Sequence, residues 1–114
     1  QPKLAEYARA RLADLGMDNV QVVAADGTRG WPERAPYDAI IAAAGGPKVP
    51  PMLKEQLALN GRLVMPVGKQ QRRQRLVKVV REANGRLRRE SFGAVAFVPL
   101  IGEAGWQDEG PRER

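Results

Sequence analysis

The chain has 114 residues, the size of one small domain or of part of a larger one, and a formal net charge of +6. It contains neither Cys nor His, which excludes disulfide frameworks, thiol catalysis and a Ser-His-Asp triad built from this chain alone, and no metal is expected. No apolar run approaches the roughly 20 residues that cross a bilayer, so no membrane association is expected, and the absence of Cys and of an export signal favours a cytoplasmic protein.

An amphipathic helix is predicted at the start of the chain. Leu4, Ala8, Leu12 and Leu15 recur at helical spacing with charged residues between them, which predicts a helix over residues 3–15. Gly16 then stands where a left-handed residue would end the helix. No residue with a capping side chain precedes the start of this helix, and we therefore expect that an upstream segment is missing.

The middle of the chain has the pattern of an α/β domain. Runs rich in apolar residues at 20–24, 37–44 and 62–68 predict strands. The second is nearly all apolar after Asp38, and such continuous apolar strands are typical of a parallel sheet. A turn-rich segment, 25–36, separates the first two. Between the second and third, Pro50 and Pro51 open a short helix that we expect to end at Asn60-Gly61.

The last third predicts an antiparallel hairpin and a further strand. Segments 75–83 and 86–93 flank Asn84-Gly85, the strongest short hairpin signal, and residues 95–101 form another apolar run. The domain is therefore expected to span residues 1–102. The polar residues 103–114 are predicted to form a disordered tail.

Positive charge is concentrated in the predicted hairpin. Residues 69–90 hold nine Lys or Arg against two Glu. Such a segment could bind phosphate or nucleic acid electrostatically, or it could be a solvated hairpin whose charged edge prevents aggregation. No Phe or Tyr interleaves with the arginines, as base stacking would require. The solvated hairpin is therefore preferred, and nucleic acid is not expected as a partner.

A long motif runs from Asn19 to Ile40: Asn-Val-x-Val-x-x-x-Asp-Gly-x-x-Gly-Trp-Pro-Glu-x-Ala-Pro-Tyr-Asp-Ala-Ile. It is followed by Pro-Pro-x-Leu-x-x-Gln-Leu at 50–57, Gly-Arg-Leu-Val-x-Pro-Val-Gly at 61–68 and Phe-Val-Pro-Leu at 97–100. Over about residues 3 to 102 the chain resembles the protein-L-isoaspartate O-methyltransferases. The resemblance implies an α/β, partial Rossmann-like methyltransferase fold: three layers, with a mostly parallel sheet and a carboxyl-terminal antiparallel hairpin.

The resemblance also implies a function. Family members use S-adenosylmethionine to methylate the free carboxyl of L-isoaspartyl residues in damaged proteins; the ester closes to a succinimide, which reopens partly to normal aspartate. The implied partners are isoaspartyl-containing peptides and proteins. The family's glycine-rich cofactor loop, the acidic residue that holds the cofactor ribose and the active-site hydroxyl residue have no match here. We therefore expect a carboxyl-terminal portion that is inactive alone, and we name no catalytic residue.

Site residues follow from the matched positions. Asp26 and Gly27 match the family's Asp-Gly beside the cofactor adenine; without the motif, the same pair would indicate only an Asx turn. The small-residue loop that includes Ala43, Ala44 and Pro47 matches a loop beside the substrate, although Gly45-Gly46 replaces the usual Ala-Pro step. Three residues match a strand that lines the isoaspartyl pocket in the family. The alternative is that this strand is simply part of the hydrophobic core, and for the neighbouring Phe97 the core position is preferred. These three are Val98, Pro99 and Leu100.

The missing strands have a physical consequence. Without them, one edge of the sheet and the apolar face of the first helix are exposed. We expect an isolated chain to be marginally stable, to aggregate or to self-associate through that edge. Two other functions remain open: a non-catalytic module that binds peptide or nucleic acid through hairpin 69–90, and an inert fragment.

Overall fold

A computed structural model describes residues 1–107 of the chain. Residues 1–107 contain two helices and four strands, with two short 3-10 turns at Gly27–Arg29 and Pro32–Arg34. The elements in chain order are α1 (Pro2–Asp14), β1 (Tyr37–Ile41), α2 (Pro51–Glu55), β2 (Leu57–Gln70), β3 (Arg73–Arg81) and β4 (Leu87–Val95). The first helix, its left-handed end at Gly16 and the hairpin around Asn84-Gly85 are thus confirmed.

The strands form one mixed sheet in the order β1-β2-β3-β4. The β1–β2 pair is parallel, whereas β2–β3 and β3–β4 are antiparallel. Because β1 and β2 run the same way, their carboxyl ends lie at the same edge of the sheet. The turn between β2 and β3 lies at that edge too, and the Asn84-Gly85 turn lies at the opposite one.

Strand β2 begins earlier than the sequence predicts. The helix ends at Glu55, and Asn60-Gly61 lies inside β2 instead of ending α2. The pairing of β1 with β2 shifts between Tyr37 and Ala39, and Asn60 adopts a positive φ of 63° at this irregularity. A Cβ on Gly61 would lie 2.9 Å from the Tyr37 carbonyl oxygen. The pair that looked like a helix stop therefore forms a bulge against β1.

Two predicted strands are wrong. Residues 20–24 have no regular secondary structure and lie outside the sheet; among the described strands, β1 has a pairing partner, β2, on one side only. A strand needs a neighbour for its backbone groups, whatever its side chains favour. Residues 95–101 do not form one strand either: β4 ends at Val95, and beyond it Pro99 makes a single parallel bridge to Gly45.

The hydrophobic core lies on one face of the sheet, beneath α2 and the loop that precedes it. Its buried members are Val49, Leu53, Leu57, Leu63, Met65, Val67, Val77 and Val79. Apolar side chains elsewhere are exposed, as predicted for one edge of the sheet and for the first helix. Ile41 on β1 is 81% exposed, and α1 buries no residue, so that Leu4, Tyr7 and Leu15 face solvent. Within residues 1–107, no helix is long and apolar enough to cross a membrane.

Candidate functional site

A half-open cleft of about 430 Å³ lies at the carboxyl end of β1. Ligands bind at this end of the strands in open α/β sheets. The cleft brings together five of the predicted site residues, namely Asp26, Gly27, Ala43, Ala44 and Leu100. Residues that are 74 positions apart in the sequence therefore share one wall.

The other three predicted residues lie around this cleft. Pro99 lines an adjoining cleft together with Asp26, Ala44 and Leu100. Pro47 lines a separate cleft beside Thr28. Val98 is 69% exposed, and its carbonyl oxygen accepts a 2.8 Å hydrogen bond from the Gly45 N–H. The loop 43–47 and the segment 98–100 thus run side by side.

Asp26 is the main charged group of the cleft, and its carboxylate is already hydrogen bonded. One oxygen, Oδ1, accepts from the Thr28 N–H at 2.9 Å and from the Thr28 hydroxyl at 2.7 Å; the other, Oδ2, accepts from the Glu103 N–H at 2.9 Å. The Glu103 backbone N–H, followed by the Thr28 hydroxyl, lowers the pKa of Asp26. The group is therefore an ionised acceptor at neutral pH.

The Asx turn and a ligand-binding role are compatible at Asp26. A carboxylate has about four acceptor positions, and three are used here, which leaves one for a donor in the cleft. Gly27 next to it has no positive φ, and a Cβ built on it would meet nothing within 4 Å among the described atoms. Neither the conformation of the turn nor packing within the chain requires glycine at position 27. A ligand that approaches the backbone closely would require it, because any side chain there would occupy the ligand's space.

The buried side chain of Gln56 shapes the cleft, although the sequence singled it out only as a matched letter in a motif. Its Oε1 accepts from the Trp31 N–H at 2.9 Å, and its Nε2 donates to the Arg29 carbonyl oxygen at 3.0 Å. Gly30 lies between these partners with a positive φ of 66°, and a Cβ there would overlap the Gln56 carboxamide. Gln56 therefore holds the loop that carries Trp31 against the cleft.

A second buried glutamine, Gln74 on β3, holds the segment before residue 98 in place through hydrogen bonds to its backbone. Its Oε1 accepts from the Phe97 N–H at 2.8 Å, while its Nε2 donates to the carbonyl oxygens of Phe97 at 3.2 Å and Gln71 at 2.7 Å. A Cβ on Gly45 would overlap this carboxamide. Phe97 itself is 41% exposed, so the preferred core position for its side chain is wrong. Its backbone, not its ring, positions the segment.

The chain beyond residue 102 folds back onto Asp26. Besides the Glu103 bond, the Ala104 N–H donates to the Thr28 hydroxyl at 3.1 Å, and the Trp106 N–H donates to the Leu100 carbonyl oxygen at 2.8 Å. These residues belong to the segment that we predicted as a tail. The rest of that segment, 108–114, lies outside the described residues.

Comparison with known proteins agrees with this arrangement. Residues 1–105 match the family model of protein-L-isoaspartate(D-aspartate) O-methyltransferase. The chain belongs to this family. A protein-L-isoaspartate O-methyltransferase from Rhodopseudomonas palustris is 55% identical over 97% of this chain, and one from Pyrococcus abyssi is 49% identical over 94%. These matches cover 51% and 50% of the relatives, so the chain spans about half the length of the curated relatives it matches.

Solved structures confirm the fold class. A protein-L-isoaspartate O-methyltransferase structure superposes with a TM-score of 0.83 and 31% identity, covering 92% of this chain and 33% of that one. A Plasmodium falciparum structure, described as a complex with S-adenosyl-L-homocysteine, superposes with a TM-score of 0.72 over 87% of this chain and 48% of that one. The latter is 23% identical and bears on the fold alone. The α/β, partial Rossmann-like methyltransferase fold is therefore confirmed for this chain.

Proposed function

We propose that this chain is part of an S-adenosylmethionine-dependent methyltransferase that repairs damaged proteins by methylating the free carboxyl of L-isoaspartyl residues. Family membership supports the reaction class. One structural observation carries the proposal: the unused acceptor position of Asp26 and the segment Pro99-Leu100 border the same end of the sheet. A cofactor site and a peptide site therefore adjoin in this half of the domain.

The residues around Asp26 suit the adenine end of the cofactor. Asp26 would accept one hydrogen bond from the exocyclic amine, and Gly27 leaves space for the base because it has no side chain. S-adenosylmethionine, when bound, supplies the activated methyl group. This chain contributes position and an acceptor, and none of its residues is proposed as catalytic.

The peptide side of the site would be formed by residues of two adjacent segments. Small side chains leave backbone exposed there, and the Gly45–Val98 and Gly45–Leu100 hydrogen bonds keep the segments in register. The attacking isoaspartyl carboxylate is ionised at neutral pH and needs no general base, so the absence of His is no obstacle. The residues proposed for this side are Ala43, Ala44, Pro47, Val98, Pro99 and Leu100.

Calorimetric titration with S-adenosylhomocysteine tests the cofactor half of the proposal. We expect saturable one-site binding that is lost in Asp26→Ala and strongly weakened in Gly27→Val, which fills the cleft without breaking a hydrogen bond. Gly93→Val is the matched control, because Gly93 on β4 also faces open space but is remote from the cleft. An absence of heat with the wild-type chain, or equal weakening in both glycine variants, would contradict the role given to Asp26 and Gly27.

A methyl-transfer assay tests the catalytic half. The chain alone, with cofactor and an isoaspartyl peptide, is expected to show no turnover, since no residue in it matches the family's glycine-rich loop or hydroxyl residue. Addition of a separate chain that carries those elements is expected to restore transfer to the isoaspartyl peptide and not to its normal aspartyl counterpart. Equal methylation of both peptides would contradict the proposed substrate.

A further inference from the structure

The positive charge of the hairpin is divided between the two ends of the sheet. Lys69, Arg72 and Arg73 surround the β2–β3 turn, and we call these three residues the basic turn. Arg86 and Arg89 lie at or near the Asn84-Gly85 turn, at the opposite end of the hairpin. The nine-residue strand β3, roughly 25 Å long, separates that end from the basic turn. Only the basic turn shares the edge of the sheet at which the cleft opens.

The basic turn is joined to the proposed peptide site by direct contacts. Gln74 binds the Gln71 carbonyl oxygen of the turn and both backbone groups of Phe97. On the other side, the Gly68 N–H donates to the Gly46 carbonyl oxygen at 3.0 Å. The turn is therefore held against the loop before Pro47 and the segment before Val98, the two proposed walls of the peptide site.

The charge of the basic turn is not neutralised by its surroundings. All three side chains are exposed, and none forms an ion pair with another residue in 1–107. The stretches 39–54, 56–81 and 91–102 contain no Asp or Glu. The acidic groups near the cleft belong to other segments: Asp26 lines the cleft, and Glu103 pairs with Arg29. At the far end of the hairpin, by contrast, Arg88 pairs with Glu82 and Glu90. Within the described residues, the basic turn thus presents three exposed cations that no ion pair neutralises.

We propose that the basic turn is a subsite for acidic residues that neighbour the isoaspartyl residue in a substrate. The inference rests on the proposed function, because a peptide whose isoaspartyl residue enters the cleft continues past its walls on both sides. Cations beside those walls attract carboxylates of the flanking residues and disfavour lysines there. Nucleic acid fits less well, because residues 69–73 include no aromatic side chain on which a base could stack.

Fluorescence anisotropy with labelled peptides tests the subsite. Two isoaspartyl peptides differ only in carrying Glu or Gln on either side of the isoaspartyl residue, and a normal aspartyl peptide accompanies each. We expect the Glu-flanked peptide to bind about threefold to tenfold more tightly than the Gln-flanked one, and the difference to vanish in 0.5 M NaCl. The variant Arg72→Gln/Arg73→Gln should lose the difference, and Arg86→Gln/Arg89→Gln, with the same change in net charge, should keep it.

The outcomes separate the subsite from the proposed function. If both double variants lose the preference for the Glu-flanked peptide equally, the effect comes from overall charge and the subsite is overturned. The subsite is also overturned if the wild-type chain shows no such preference or binds no peptide. An oligonucleotide that binds more tightly than the Glu-flanked peptide, and depends on Arg72 and Arg73, would also overturn it. A flank preference without discrimination between isoaspartyl and aspartyl peptides would support an acidic-peptide site at the turn and contradict the proposed substrate.

Discussion

The Asp26 carboxylate and the Glu103 backbone N–H are joined by a 2.9 Å hydrogen bond across 77 positions of sequence. This bond joins the turn that follows residues 20–24 to the loop beyond Leu100. The same carboxylate caps the turn Gly27–Arg29 through Thr28. A residue proposed to bind the cofactor is therefore also the point at which the carboxyl-terminal loop is anchored.

The first prediction concerns the pH dependence of stability. The pKa of Asp26 is lower in the folded chain than in the unfolded one, so its contribution is complete above the unfolded value and is lost as pH falls through the folded value. Thermal unfolding followed between pH 7 and pH 3 should show a decline below about pH 4 that is smaller in Asp26→Asn. Asp38→Asn, at an exposed position on β1, should retain the wild-type decline; identical profiles for all three proteins would contradict this account.

The second prediction concerns the buried Thr28. Its hydroxyl donates to Asp26 and accepts from the Ala104 N–H, and the residue is completely buried. Thr28→Val keeps the shape of the side chain but leaves the Ala104 N–H unpaired, and should lower the free energy of unfolding by about 1–3 kcal/mol. Thr28→Ser keeps the hydroxyl and should lose less. Urea denaturation measures both, and a valine variant as stable as the serine variant would exclude a role for these hydrogen bonds.

The third prediction concerns Gln74, which satisfies both backbone groups of Phe97. Gln74→Leu should destabilise the chain by about 1–3 kcal/mol, because the partly buried hydrogen bonds to both backbone groups of Phe97 are lost. It should also increase hydrogen exchange at Phe97 and its neighbours. Gln70→Leu, at an exposed position near the end of β2, is the matched control and should change neither quantity. Equal effects of the two substitutions would disprove the positioning role.

The fourth prediction separates two glycines of the same loop. Gly30→Ala should destabilise the chain by more than about 1 kcal/mol, because the position has a positive φ and a methyl group would overlap the Gln56 side chain. Gly27→Ala should leave the free energy of unfolding within about 0.5 kcal/mol of the wild type, because open space surrounds the new methyl group. Thermal denaturation of both variants provides the comparison, and a large loss in Gly27→Ala would reveal a structural requirement at that position.

The fifth prediction concerns the open edge of the sheet. The isolated chain should self-associate or aggregate, because β1 leaves one edge unpaired within the described residues and Ile41 is 81% exposed beside it. Ile41→Lys should reduce association, as measured by static light scattering, with little change in the thermal transition. Ile40→Lys should unfold the chain, because Ile40 packs on the core. A wild-type chain that stays monomeric at high concentration would contradict the prediction.

The sequence by itself determined the local elements whose signals need no distant partner. Helical spacing at Leu4 to Leu15, the proline pair before α2 and the Asn84-Gly85 turn each act within a few residues, and each appears in the structure. The sequence motifs also indicate the family, which the family match shows. They predict Asp26 for the cofactor and Ala44 and Leu100 for the substrate, and all three residues line the same cleft.

Only the tertiary structure decided which apolar runs became strands and which polar residues became structural. Residues 20–24 have strand-like side chains but lie outside the described sheet, whereas Asn60-Gly61 became a bulge because β1 lies beside it. The roles of Gln56 and Gln74 depend on backbone groups more than 20 residues away. Hydrogen bonds between distant segments are absent from any local pattern, because they exist only after the core has brought those segments together.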